Sequence, residues 1–98
     1  MIKMKFVLFT PYKKFDALEC DSVRLNIADS ISGSFSGSYG IRKGHAKAVF
    51  SLAEGKISVK LKGDEVFSAG CNGGFAYVEN DEVKVVADGV KENQTKTD

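Results

Sequence analysis

The sequence predicts an all-β fold, a flattened β-sandwich or barrel of about ten short antiparallel strands. Apolar residues recur with a period of two, as in Val23, Leu25 and Ile27 and again in Ile57, Val59 and Leu61, with polar residues between them. Turn-forming residues interrupt the chain about once every 8 to 12 positions, the spacing of short strands in a sandwich. No long segment carries the three-and-four spacing of an amphipathic helix.

Taken in order, Lys5 to Phe9 opens the series as a short apolar run, and Val23 to Ile27 alternates as a half-buried strand. Ala46 to Leu52, Ile57 to Leu61, Val66 to Ala69, Phe75 to Val78 and Val83 to Ala87 follow, rich in the Val and Phe that suit a pleated surface. Glu54-Gly55, Lys62-Gly63-Asp64 and Asn80-Asp81 stand between such runs and read as hairpin turns, because each offers a residue that tolerates positive φ or bonds its own backbone. Gly70 to Gly74 reads as a bulge or a tight sheet corner. Two segments break the rhythm. Asp29 to Gly40, with five Ser and three Gly around Ile31, Phe35 and Tyr39, reads as a surface loop. Lys91 to Asp98 has no apolar side chain and is expected to fray, which puts one domain at 1–90 and a disordered polar tail at 91–98.

Ninety-eight residues support a single modest core. Fourteen Lys and Arg against thirteen Asp and Glu give a net charge of +1, too even a balance for nucleic acid or an anionic leaflet to be the expected partner. The N-terminal run holds Lys3 and Lys5, and no apolar stretch approaches the roughly 20 residues of a membrane span, so neither a signal peptide nor a transmembrane helix is expected. Cys20 and Cys71 stand alone beside one histidine, which leaves no zinc or thioredoxin-like ligand set and points to two reduced, packed thiols.

Catalysis finds little support. His45, the sole histidine, would need a Ser or Cys brought to it by the fold. Gly33-Ser34-Phe35-Ser36-Gly37 places Phe35 where a nucleophile elbow needs its serine. The glycines at 33, 37, 40 and 44 miss the Walker spacing, and Gly70 to Gly74 misses the dinucleotide spacing. The scattered carboxylates form neither an acid–base pair nor a calcium loop. No cofactor, no metal and no enzymatic activity are expected, and function by binding is.

Thr10-Pro11, Phe15-Asp16, Glu19 to Val23, Tyr39-Gly40-Ile41, Gly44-His45-Ala46, Gly73-Gly74-Phe75, Val78 and Val86-Ala87-Asp88 occur in that order. In this order they resemble the N-terminal β-sandwich domain of the epsilon subunit of rotary F-type ATP synthases over about residues 3 to 90. The resemblance implies a ten-stranded sandwich at the foot of the central stalk, a non-catalytic rotor subunit with the gamma subunit and the c ring as partners and the catalytic alpha and beta subunits as indirect ones. It implies a peripheral place on the cytoplasmic face of an energy-coupling membrane, without lipid insertion. Gly44-His45-Ala46 falls on the family's Pro-Gly-His-Ala-Pro segment, with Lys43 and Lys47 in place of both prolines.

Phe35, Tyr39, Ile41, Arg42, Lys43, His45 and Phe50 are accordingly the candidate protein-interaction residues. The family's usual chain continues past Ala87-Asp88 into an inhibitory two-helix hairpin, and this sequence stops at Asp98, so a constitutive coupling subunit without the helical arm is expected. Two other readings stand beside it: a free-standing β-sandwich module for a small ligand or carbohydrate, and a hydrolase using His45.

Overall fold

The computed structural model describes residues 4–28 and 35–92, with side chains for all of these except Phe35, Ser36 and Glu92. Ten strands follow one another: β1 (Met4–Phe9), β2 (Leu18–Cys20), β3 (Ser22–Ala28), β4 (Phe35–Arg42), β5 (Ala48–Leu52), β6 (Gly55–Leu61), β7 (Asp64–Cys71), β8 (Gly74–Glu79), β9 (Glu82–Ala87) and β10 (Val90–Glu92). There is no helix among the described residues. The strands form one continuous sheet in the order β10-β7-β6-β3-β5-β8-β9-β1-β2, with β4 on the other edge of β3. This sheet doubles back on itself into two layers. β3 is the pivot: residues 22–24 pair with β6, while Ile27 pairs with Leu52 of β5.

The all-β class and the strand number agree with the sequence expectation, and alternation explains the core. Val23 and Leu25 of β3, Ile57 and Val59 of β6, Ala76 and Val78 of β8, and Val83 and Val85 of β9 are all at or below 2% exposure. Their alternate neighbours face solvent, as the two-residue period requires. The rings of Phe6 in β1 and Phe67 in β7 meet across the layers, 5.8 Å between centroids, and Phe15 closes edge-on to Phe67 at 5.9 Å. Cys20 and Cys71 are free and buried, as expected for packed thiols. Burial, and secondarily the charge of Asp21, pushes the Cys20 thiol up to about 11.

Two turns have the predicted chemistry. Leu61 pairs with Asp64 and Glu79 with Glu82, so Lys62-Gly63 and Asn80-Asp81 are two-residue loops. All four of these residues have positive φ, the conformation of the hairpin turn that matches strand twist. At the start of β8, Gly74 sits at φ 135°, and a Cβ there would run into the Val86 carbonyl of β9. Only glycine lets the two backbones approach so closely.

Four expectations are corrected. Pairing is antiparallel except where β1 lies parallel to β9, Lys5 opposite Glu82 through Phe9 opposite Val86. No hairpin constrains strands so far apart in sequence, so direction follows from the connection around the sheet. The stretch Asp29 to Gly40, read as a loop, enters β4 at Phe35, while 29–34 lie outside the described residues. Serine and glycine mask a strand whose inward positions, Tyr39 and Ile41, oppose Leu25 and Val23. Glu54-Gly55 is a corner between β5 and β6, which do not pair with each other. Ala53 N–H donates to the Asn26 carbonyl at 2.9 Å and holds that corner to β3. Finally, Lys91 and Glu92, assigned to the tail, pair in β10 with Gly70 and Ala69; 93–98 lie outside the described residues.

Candidate partner-binding surface

The residues around His45 are placed by a turn and held by a hairpin. After β4 the chain reverses at Arg42, Lys43 and Gly44, where the His45 N–H donates to the Arg42 carbonyl at 3.2 Å. Gly44 has φ +84°, which an L side chain rarely adopts. Its N–H donates to the Asp81 carboxylate at 2.8 Å, and Asp81 is itself held at φ 58° in the β8–β9 turn. The Asp81 carbonyl accepts from Lys5 N–H at 2.9 Å. One aspartate thus joins the His45 turn, the β8–β9 hairpin and the start of β1. Lys47 reaches Glu79 of the same hairpin at 3.5 Å, an exposed pair worth little in solution. Lys43 and Lys47 stand where rigid prolines were expected, and the Asp81 link supplies an alternative restraint.

Tyr39, His45 and Phe50 form an aromatic group at the open edge between β4 and β5. Tyr39 and Phe50 lie 4.9 Å apart by centroid, Tyr39 and His45 5.6 Å, and His45 and Phe50 6.1 Å. The Tyr39 hydroxyl bonds His45 Nε2 at 2.8 Å, and His45 Nδ1 lies 2.6 Å from the Ala46 carbonyl. A carbonyl can only accept, so in the neutral ring Nδ1 carries the proton and Nε2 accepts from Tyr39. Both ring nitrogens are therefore engaged, neither of them by a serine or cysteine. Among the described residues no group of His, Cys, Asp or Glu is gathered to hold a metal.

The seven candidate residues divide. Arg42 and Lys43 are exposed on the turn, His45 and Phe50 are half-buried, and Tyr39 is 38% exposed. Tyr39 and Phe50 point inward beside Leu25 and Ala76, so they close the sandwich edge as well as showing one side to solvent. Ile41 is fully buried opposite Val23, which makes it a core residue and removes it from any contact surface. Phe35 begins β4, and its side chain lies outside the described residues.

A second surface escaped the sequence reading. On the outer face of β5, β8 and β9, Val49 opposes Tyr77 and Phe75 opposes Val86. These four are 62%, 43%, 49% and 42% exposed. Contiguous exposed apolar side chains of this kind mark interaction surfaces. The signal was present in Phe75-Ala76-Tyr77-Val78 and Val85-Val86, which are apolar in both phases of the strand period, as in a strand covered on two sides.

Residues 3–93 match the family described as ATP synthase, Delta/Epsilon chain, beta-sandwich domain. The chain is 36% identical over 86 residues to the ATP synthase epsilon chain of Geobacter metallireducens and 35% identical over 86 residues to that of Geotalea daltonii. Each match takes in 88% of this chain and 56% of the relative, so the chain spans about half the length of the curated relatives it matches. In fold it is similar to a chain of the Euglena gracilis mitochondrial ATP synthase OSCP/F1/c-ring structure, with TM-score 0.77, 18% identity, and 92% of this chain and 53% of that chain covered. A chain of the Tetrahymena thermophila mitochondrial ATP synthase central stalk/c-ring structure superposes with TM-score 0.68 at 17% identity, covering 91% of this chain and 66% of that one. The strand order, the paired glycines before β8 and these matches converge, and the chain belongs to the ATP synthase delta/epsilon-chain β-sandwich family.

Proposed function

We propose that this domain is a non-catalytic central-stalk subunit that seats on the gamma subunit and meets the c ring, so that rotation of one is passed to the other during ion-driven ATP synthesis. The observation that carries the reading is the exposed apolar face of Val49, Phe75, Tyr77 and Val86, which has the character of an interface to a permanent neighbour. That face takes gamma. The edge formed by Tyr39, Arg42, Lys43 and His45 takes the c ring, stiffened by its link to Asp81. Family membership and likeness to a chain of a central stalk/c-ring structure support the assignment. Among the described residues no helix is long and apolar enough to cross a membrane, and in this reading attachment to the cytoplasmic face comes through the complex.

The test is co-elution with the gamma subunit of the same organism on a sizing column. The expected result is a stable one-to-one complex, weakened about tenfold or more by Tyr77→Ser, an outward substitution that leaves the core intact. His45→Ala should leave gamma binding unchanged and weaken capture by the assembled rotor ring. Two folded partners that fail to associate at micromolar concentration would overturn the reading. The 98-residue chain should also add no nucleotide-relieved inhibition when mixed with its catalytic complex, since its described residues build strands alone.

A further inference from the structure

The outer face of the other layer is chemically unlike the apolar one. Over β4, β3 and β6 lies a groove of about 390 Å³ whose charged lining is Arg24, Arg42, Lys56, Lys60 and Glu65. Four cations against one carboxylate leave an excess of three positive charges on this face. The whole chain carries +1, so the remainder carries a net charge of minus two. The cations are concentrated in one place by the strand registers. Arg42, Ser22 and Lys60 form one row across the three strands, and Gly40, Arg24 and Ser58 the next. Ser22 separates the long basic side chains of Arg42 and Lys60, which form the rims, and Arg24 rises between them from the central strand. Across two strand spacings the rims stand about 10 Å apart at the backbone.

Arg24 is positioned rather than loose. Its Nη1 donates to the Ser38 hydroxyl at 3.1 Å. Its guanidinium lies over Gly40, where a Cβ would come within 3.1 Å of Nη2. The single acid, Glu65, is already engaged: it accepts from the Ser58 hydroxyl at 2.6 Å and meets Lys56 at 3.2 Å, and these contacts hold its carboxyl below the usual value. Asp21, at the neighbouring corner, accepts from the Lys62 backbone N–H at 2.6 Å. Arg24, Arg42 and Lys60 meet no carboxylate among the described residues.

We infer that this groove binds a compact soluble anion bearing two or more phosphate groups. Guanidinium forks and hydroxyls present donors to phosphate oxygens, and the spread of cations over two rows exceeds the reach of one carboxylate. Among the described residues no aromatic side chain lines the groove, so the phosphates are recognised and a nucleoside base is not. The inference does not depend on the stalk reading: apart from Arg42, which also belongs to the edge assigned to the c ring, the charged residues of the groove lie on neither surface used there.

The experiment is calorimetric titration of the purified chain with inorganic tripolyphosphate at low ionic strength. Binding is expected, weaker with added salt, and no weaker for tripolyphosphate than for ATP. Arg24→Gln should reduce the affinity about tenfold, and Glu65→Gln should raise it several-fold by releasing Lys56 and removing the one negative charge. Lys84→Gln, on the exposed face of the opposite layer, should change nothing. All these positions are exposed, and a thermal melt confirms that each variant is folded. Equal loss on Lys84→Gln, absence of binding at millimolar tripolyphosphate, or a preference for ATP would overturn the inference. So would sedimentation with phosphatidylglycerol vesicles without tripolyphosphate binding, which would assign the face to a bilayer.

Discussion

The carboxylate of Asp81 accepts the N–H of Gly44 at 2.8 Å and so ties the turn before His45 to a hairpin 37 residues further along the chain. The aspartate has a second constraint in its own φ of 58°, which a carboxylate able to bond nearby backbone tolerates better than most side chains. Replacing it separates these roles. Asp81→Gly keeps the turn and loses the carboxylate, and it should cost about 1 kcal/mol of stability in urea while raising hydrogen exchange at Gly44. Asp81→Ala loses both and should cost about 1 kcal/mol more.

The ring of Phe6 fills the space between the layers at 1% exposure and meets Phe67. Phe6→Ala should cost about 3 to 5 kcal/mol in equilibrium unfolding. That is a large share of the roughly 5 to 15 kcal/mol available to a domain, so the variant should be partly unfolded at room temperature or lose most of its denaturant range. Phe6→Leu, which refills much of the volume, should keep a cooperative transition.

Gly74 faces the Val86 carbonyl at φ 135°. Gly74→Ala should cost about 3 kcal/mol or more, since both the dihedral and the space refuse a Cβ. Gly63, at φ 85° with open space around it, makes the comparison: Gly63→Ala should cost only about 1 kcal/mol, from the dihedral alone.

The Cys20 thiol, raised from 9.0 to about 11 by burial and then by Asp21, favours the folded state in its protonated form. That contribution is complete below pH 9, shrinks as the unfolded thiol begins to ionise, and is gone above pH 11, because the folded chain holds the proton that the unfolded chain releases. Urea transitions at pH 8 and pH 10.5 should therefore show a fall in stability that is smaller in Cys20→Ala. At pH 8 a thiol reagent should react with the unfolded chain far faster than with the folded one.

Much of this architecture was legible in the residues, and the reason differs from element to element. Val23, Leu25 and Ile27 announce β3 because one side of that strand is buried and the other wet, and Lys62-Gly63 and Asn80-Asp81 announce hairpins because local chemistry alone sets their positive φ. β4 was hidden, since Ser36, Gly37, Ser38 and Gly40 have poor strand propensity and are held by pairing with β3 that only the folded chain supplies. Ile41 looked like part of an exposed segment until that register turned it inward. The candidate surface was half legible: His45 and its neighbours stand out as a motif, while the partner that restrains them, Asp81, has no local signal linking it to Gly44. The apolar outer face was present as uninterrupted hydrophobicity, and only the paired registers show which alternate residues lack cover.

The parallel seam between β1 and β9 has a consequence for how the polypeptide is made. Lys5 needs Glu82 beside it, so β1 leaves the ribosome well before the strand that covers that edge. Apart from the short β2 that follows it, β1 waits with Phe6, Val7 and Leu8 unburied until β9 has been made. Closure across so long a separation is slow compared with hairpin formation, and the delay leaves an apolar segment open to chaperones or to other nascent chains.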